Sequence, residues 1–150
     1  MLIALAVLLG CASLYLNRDV FASETIQISH RSRPPRAGIV GRKHGNREDN
    51  PEINPITFIL NRSTKLSSLK VFVLSDIETN KYPHAIWNLV SDSNSVPVKD
   101  FVYGVSIGGM HPEVKGTLPD PLQPGEKYRL VIESGSRKAE HDFETVARTR

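Results

Sequence analysis

Leu122-Gln123-Pro124-Gly125-Glu126-Lys127-Tyr128 couples a Pro-Gly pair to the start of an alternating run, Lys127–Glu133. Proline presets φ near −65° and glycine accepts positive φ, so the pair predicts a tight turn. Beyond it Tyr128, Leu130 and Ile132 alternate with Lys127, Arg129 and Glu133, the period of a strand with one buried face. After a turn cluster at Ser134-Gly135-Ser136, Ala139, His141, Phe143 and Thr145 oppose Glu140, Asp142 and Glu144, which predicts a last strand over Ala139–Val146. Upstream, the same grammar predicts strands at Ile56–Leu60, Leu69–Ser75, Ala85–Val90 and Phe101–Ile107. Turn-rich pieces separate them, among them Asn61-Arg62-Ser63, Ser91-Asp92-Ser93-Asn94, Gly108-Gly109 and Pro119-Asp120-Pro121. Phe101, Tyr103, Val105 and Ile107 form an inward row, and Leu69–Leu74 is apolar on both faces. Thr25–Ser29 is a further short strand pattern. No stretch keeps a 3.6-residue period over a useful length, so the expectation is an all-β domain.

The L-x-P-G-x-x-Y stretch resembles the turn into the penultimate strand of fibronectin type III and other immunoglobulin-like domains. The resemblance implies that Leu122 plugs the core, that Pro124 and Gly125 make the turn, and that the Tyr128 hydroxyl bonds back to upstream backbone as a tyrosine corner. One strand then follows, as that fold requires. Trp87, inward beside Ala85 and Leu89, resembles the core tryptophan of such sandwiches. The likeness spans residues 53–147 and implies an immunoglobulin-like β-sandwich of about seven strands. It carries no activity with it, since function resides in sites and not in folds. The chain also resembles small uncharacterised exported bacterial proteins that combine a leader, a Trp-bearing strand, a Phe-x-Tyr-Gly segment (Phe101, Tyr103, Gly104) and this Pro-Gly-x-x-Tyr ending. That likeness implies a secreted or envelope location.

The 150 residues leave room for one domain with a leader and a linker. Hydrophobic residues make up 39% of them, enough for a core. The net charge of +3 originates in the N-terminal third. Residues 1–50 hold seven Lys and Arg against four acids, and the remainder holds twelve of each. A neutral folded part excludes a domain-wide nucleic-acid surface. The single cysteine, Cys11, rules out an intramolecular disulfide and with it the immunoglobulin bridge. A fibronectin-like or bacterial sandwich is therefore the nearer relative.

Met1–Leu16 is an apolar run closed by Asn17, Arg18 and Asp19. It has the length of a signal-peptide core and falls short of the roughly 20 residues of a comfortable membrane span. Three fates stay open: cleavage after Ala22, lipidation at Cys11 within a lipobox-like Leu8-Leu9-Gly10-Cys11, and retention as an anchor helix. The expected organisation is a signal peptide or membrane anchor over 1–22, a short strand plus a basic flexible linker over 23–52, and the sandwich over 53–147. Within the linker, Arg31, Arg33, Arg36, Arg42, Lys43 and Arg47 are candidates for contact with an anionic surface such as lipid headgroups. The plainer alternative is a solvated spacer.

Candidate chemistry is thin. Of the five histidines, His30, His44, His84, His111 and His141, none lies two or four residues from another, so no strand or helix presents two ligands on one face. Met110-His111 suggests a soft metal site but falls short of a ligand set, and a plain turn is the simpler reading. His141 faces inward, as a hydrogen-bonded core histidine would. Gly104-Val105-Ser106-Ile107-Gly108 lies in a strand pattern, not in the strand-to-helix turn of a nucleophile elbow. Gly108-Gly109 lacks the following helix that phosphate binding needs. The expectation is a non-enzymatic periplasmic or envelope protein, exported or membrane-tethered, with no cofactor. It presents loops or an edge strand to a protein partner. The rival is a small envelope enzyme or metal protein using His84, His111 or His141.

Overall fold

The computed structural model describes residues 25–32 and 53–147. Eight strands and one short helix follow in the order β1 (Ile28–Ser32), β2 (Ile56–Thr64), β3 (Ser68–Val73), α1 (Leu74–Thr79), β4 (Ala85–Val90), β5 (Val98–Val102), β6 (His111–Pro112), β7 (Lys127–Ser134) and β8 (Arg137–Glu144). They form a three-stranded sheet, β1-β2-β5, and a five-stranded sheet, β6-β4-β3-β7-β8. Every pairing is antiparallel. The all-β expectation holds.

Alternation decides which face each strand buries. Ile56, Phe58 and Leu60 of β2 and Phe101 of β5 turn inward from the smaller sheet. Leu69 and Val71, Trp87 and Leu89, Tyr128, Leu130 and Ile132, and Ala139 and Phe143 turn inward from the larger one. Together they make one hydrophobic cluster. The two sheets touch through aromatic pairs. Phe58 meets Phe143 edge-on, with ring centroids 5.0 Å apart. Trp87 lies 6.3 Å from Phe101. Such edge-to-face and tilted contacts suit the ring quadrupoles and add to the burial of area.

At 122–128 the chain closes a tight turn into β7. Leu122 and Tyr128 are buried. The Gln123 backbone N–H donates to the Tyr128 hydroxyl at 2.8 Å. Gly125 takes φ +71°, a conformation that costs a Cβ-bearing residue about 1–2 kcal/mol. Its N–H donates to the Thr145 carbonyl at 3.0 Å, and the Thr145 N–H returns to the Glu126 carbonyl at 3.1 Å. The buried Thr145 hydroxyl donates to the Gln123 carbonyl and accepts from the Glu126 N–H. The turn is thus tied to the chain just past β8.

Several element boundaries depart from the sequence expectation, the last strand among them, which runs over Arg137–Glu144. β2 continues through Asn61-Arg62-Ser63 with a shift of its register against β5, because Asn61 spends its turn-forming amide on a neighbour. Its Oδ1 accepts from Gln27 N–H and its Nδ2 donates to the Thr25 carbonyl. The strand at Thr25–Ser29 is displaced to Ile28–Ser32 and pairs with Ile56–Leu60, so it belongs to the smaller sheet. β3 stops at Val73 and Leu74–Thr79 coils into α1, too short for any helical period to register. The Phe101–Ile107 strand ends at Val102, where the chain turns through Gly104 at φ +74° and Val105 N–H bonds Val102 C=O at 3.1 Å. Phe101, Tyr103 and Ile107 are still buried, so the inward row survives without the strand. The added β6 raises the strand number above the expected seven.

Tyr128→Phe removes the acceptor of the Gln123 N–H, and Thr145→Val removes the bridge between the turn and the end of β8. Each is expected to lower the unfolding free energy by about 1–3 kcal/mol, measured by equilibrium urea denaturation. Tyr82→Phe, at an exposed position, should leave it within about 0.5 kcal/mol of the starting protein.

Candidate functional site

β4 lies next to the edge of the larger sheet, and β6 covers only its last two residues, Leu89 and Val90. The rest of that edge is closed by loop backbone. Asp120 N–H donates to the Ile86 carbonyl at 2.9 Å, and Glu113 N–H reaches the Asn88 carbonyl at 3.4 Å. The Asn88 amide also donates to the Glu113 carboxylate. Between this strand and the loops around 104–106 and 117–119 lies a partly enclosed cavity of about 250 Å³. Trp87 and Leu89 supply core-side lining, Val105, Met110 and Pro112 add apolar wall, and Leu118 with Pro119 completes it. Leu118 is 55% exposed. Asn88 Oδ1 is buried without a hydrogen-bond partner.

Three further contacts hold the loops around the cavity. The Tyr103 hydroxyl donates to the Asp120 carbonyl at 2.7 Å, joining the end of β5 to the loop before β7. Tyr103 also packs edge-on against Trp87 at 5.0 Å. Gly109 sits at φ +74°, where a Cβ would fall 2.1 Å from the Asn94 carbonyl oxygen, so backbone meets backbone there and only glycine fits. Ser106 is exposed in the loop, not in a strand, and it lines the cavity.

The histidines go to separate places. His84 precedes β4, exposed, with Nε2 3.7 Å from Asp120. Its backbone N–H donates to Asp76 at 2.7 Å. The Asn80 amide and then this bond hold the Asp76 carboxyl below its usual range. His111, in β6, bonds the Pro112 carbonyl through Nδ1 at 3.0 Å and Asp92 through Nε2 at 3.1 Å. Met110 packs toward the core while His111 stays exposed, so the two do not converge as ligands. His141, in β8, meets His30 of β1, with Nε2 and Nδ1 2.8 Å apart. His84, His111 and His141 therefore each have a different partner on a different element. Among the described residues no group of three or more His, Cys, Asp or Glu is placed to hold a metal.

The His30–His141 pair was not legible in the sequence, because its members are 111 positions apart and belong to different sheets. The inward period of β8 pointed to half of it. Of the basic candidates, Arg31 is exposed on β1, opposite Thr57. Arg33, Arg36, Arg42, Lys43 and Arg47 lie outside the described residues, as do Cys11 and Ala22.

Charge collects on the outer face of the larger sheet. Arg129 holds Asp142 through two bonds, at 2.7 and 2.8 Å, and Lys138 meets Glu140 at 2.8 Å. Exposed pairs of this kind add little stability, but they keep the face hydrated. Exposed apolar side chains gather elsewhere. Val96 lies on the loop between β4 and β5, and Val114 and Leu118 lie on the loop that follows β6.

Comparison with known family profiles, with curated proteins and with solved structures finds no match to this chain.

Both ring nitrogens of His111 face acceptors, first the Pro112 carbonyl and then Asp92, which raises its pKa above the ordinary 6.5. The gain to folding is complete below that value and is lost as pH rises through the raised pKa. An NMR titration is expected to put the His111 midpoint above 6.5. Asp92→Asn should lower that midpoint while leaving part of the rise, because the larger contribution comes from the backbone of Pro112.

Proposed function

We propose that this chain is a non-enzymatic envelope protein. In this reading an immunoglobulin-like sandwich, exported or tethered by the apolar N-terminal segment, docks a protein partner at the cavity beside β4. The single observation that carries the docking site is that apolar cavity, with the exposed Leu118 on its own rim. A preformed, mostly apolar hollow with a few polar groups in its wall is a recognition feature. Leu118 offers contact area, Trp87 a rigid aromatic floor, and Asn88 Oδ1 an acceptor that a partner's N–H or O–H would satisfy. An apolar pocket with one polar anchor is the chemistry of an inserted side chain or short peptide segment.

The strand order supports the immunoglobulin-like assignment. The first, second and fifth strands share one sheet, while the third, penultimate and last share the other. The fourth strand lies beside the third, which departs from the antibody constant arrangement and suits the fibronectin-like alternative. The closed 122–128 corner supports the same reading. The envelope location rests on the resemblance and on the Met1–Leu16 run.

A photo-crosslinking residue placed at Leu118 in living cells should give a discrete adduct with one envelope protein. The adduct should disappear in Met110→Asp, and none should form from the same residue placed at Glu140 on the charged outer face. The purified partner should shift the emission of Trp87, the single tryptophan. Equal crosslinking from both positions would remove the docking site. A turnover activity abolished by one polar substitution would remove the non-enzymatic reading. Alkaline phosphatase fused after Arg150 should be active, and activity confined to a cytoplasmic reporter would overturn the location.

A further inference from the structure

The first and last described strands, β1 and β8, belong to different sheets and meet along one side of the molecule. His30 and His141 form the contact. Their ring centroids are 5.0 Å apart, and one ring nitrogen donates to the other across 2.8 Å. His30 is exposed and His141 half-buried, and apolar residues line the inner side of the pair. Phe58 of β2 stands opposite His30, Leu130 of β7 stands opposite His141, and Phe143 lies 6.0 Å from the His30 ring. The charged residues next in line make their hydrogen bonds elsewhere. Arg31 follows His30 and alternates to the other face of β1, and Asp142 follows His141 and is held by Arg129 on the outer face of β8. No third ligating side chain among the described residues completes a metal site here.

A neutral imidazole has one N–H and one bare nitrogen, whereas the cation has two N–H groups and no acceptor. The observed contact therefore requires that at least one ring be neutral. With both protonated, N–H would face N–H with two like charges at hydrogen-bond distance. We propose that the His30–His141 contact is a proton-operated latch that holds β1 on the sandwich at neutral pH and releases it on acidification. Burial and then the neighbouring His30 push the pKa of His141 below the ordinary 6.5, against a smaller opposing pull from the Asp142 carboxylate. The unfolded or unlatched chain thus takes up the proton first as pH falls. Stability is full above the ordinary histidine range and is lost as pH falls through the lowered pKa of His141.

What acid uncovers follows from the pairing. β1 covers one edge of β2 over Ile56–Leu60, and its departure would leave main-chain N–H and C=O groups there as a template for another strand. The latch thus couples local pH to the exposure of a strand-pairing edge, on the opposite side of β2 from β5. This is independent of the cavity beside β4.

Hydrogen exchange by mass spectrometry on the full-length chain in detergent micelles tests the latch at pH 7.5 and 5.0, with intrinsic rates normalised. Peptides covering 25–32 and 56–60 should lose protection by roughly fivefold at pH 5.0, with β7 and β8 peptides little changed. His30→Gln keeps an acceptor that neutral and cationic His141 can both donate to, so it should abolish the acid response. His141→Gln provides the same test from the other side if the first variant folds poorly. An undiminished response in the glutamine variants would overturn the latch, as would a loss of protection spread evenly over both sheets.

Discussion

The structure depends most on the closure of the 122–128 turn against Thr145. Three groups act together there: a buried tyrosine hydroxyl that receives a backbone N–H, a glycine at positive φ, and a buried threonine bonded to both sides of the turn. Their geometry fixes where β7 begins relative to the end of β8, and hence the register of the pair. β7 in turn pairs with β3, and β3 with β4. An error of one residue at the corner would turn Tyr128, Leu130 and Ile132 from the core to the solvent face, because side chains alternate with a period of two. With no disulfide available to staple the sheets, registration by hydrogen bonds and core packing must suffice.

The same ordering of strands creates the cavity beside β4 and the histidine contact between β1 and β8. Beside β4 the sheet runs out of strands, and the chain closes the edge with loops whose Tyr103–Asp120 and Asn88–Glu113 contacts leave a hollow over Trp87. On the other side, β1 and β8 cannot pair as strands because they belong to different sheets. A side-chain contact between two histidines occupies that seam. Both features are consequences of having edges, which a two-sheet sandwich cannot avoid.

Charge is partitioned accordingly. The face carrying Arg129, Glu140 and Asp142 is covered by ion pairs, and the Asp142 carboxyl is drawn below its usual range by the Arg129 guanidinium. Such a surface keeps its hydration and discourages sheet-to-sheet stacking. The loop after β6 carries the exposed apolar side chains of Val114 and Leu118 instead.

Much of this was legible in local pattern. Pro124-Gly125 announced the turn, the alternation in 127–133 and 139–145 named the buried face of β7 and β8, and Ala85–Val90 was a strand by composition alone. These features are set by steric limits on single residues and by the period of a strand, which act within a few positions. What local pattern missed was decided by partners far away in the chain. Asn61 continued β2 because its amide bonds Thr25 and Gln27. Tyr103 stayed buried beyond the end of β5 because Trp87 and Asp120 receive it. His141 found His30 only once two sheets had closed on each other. The sequence by itself determined an all-β chain with an inward face on each strand and a tight corner before the last pair. Only the tertiary structure decided which edges remain open, and which side chains meet across them, because those contacts exist only after sheet registration brings distant residues within hydrogen-bond reach.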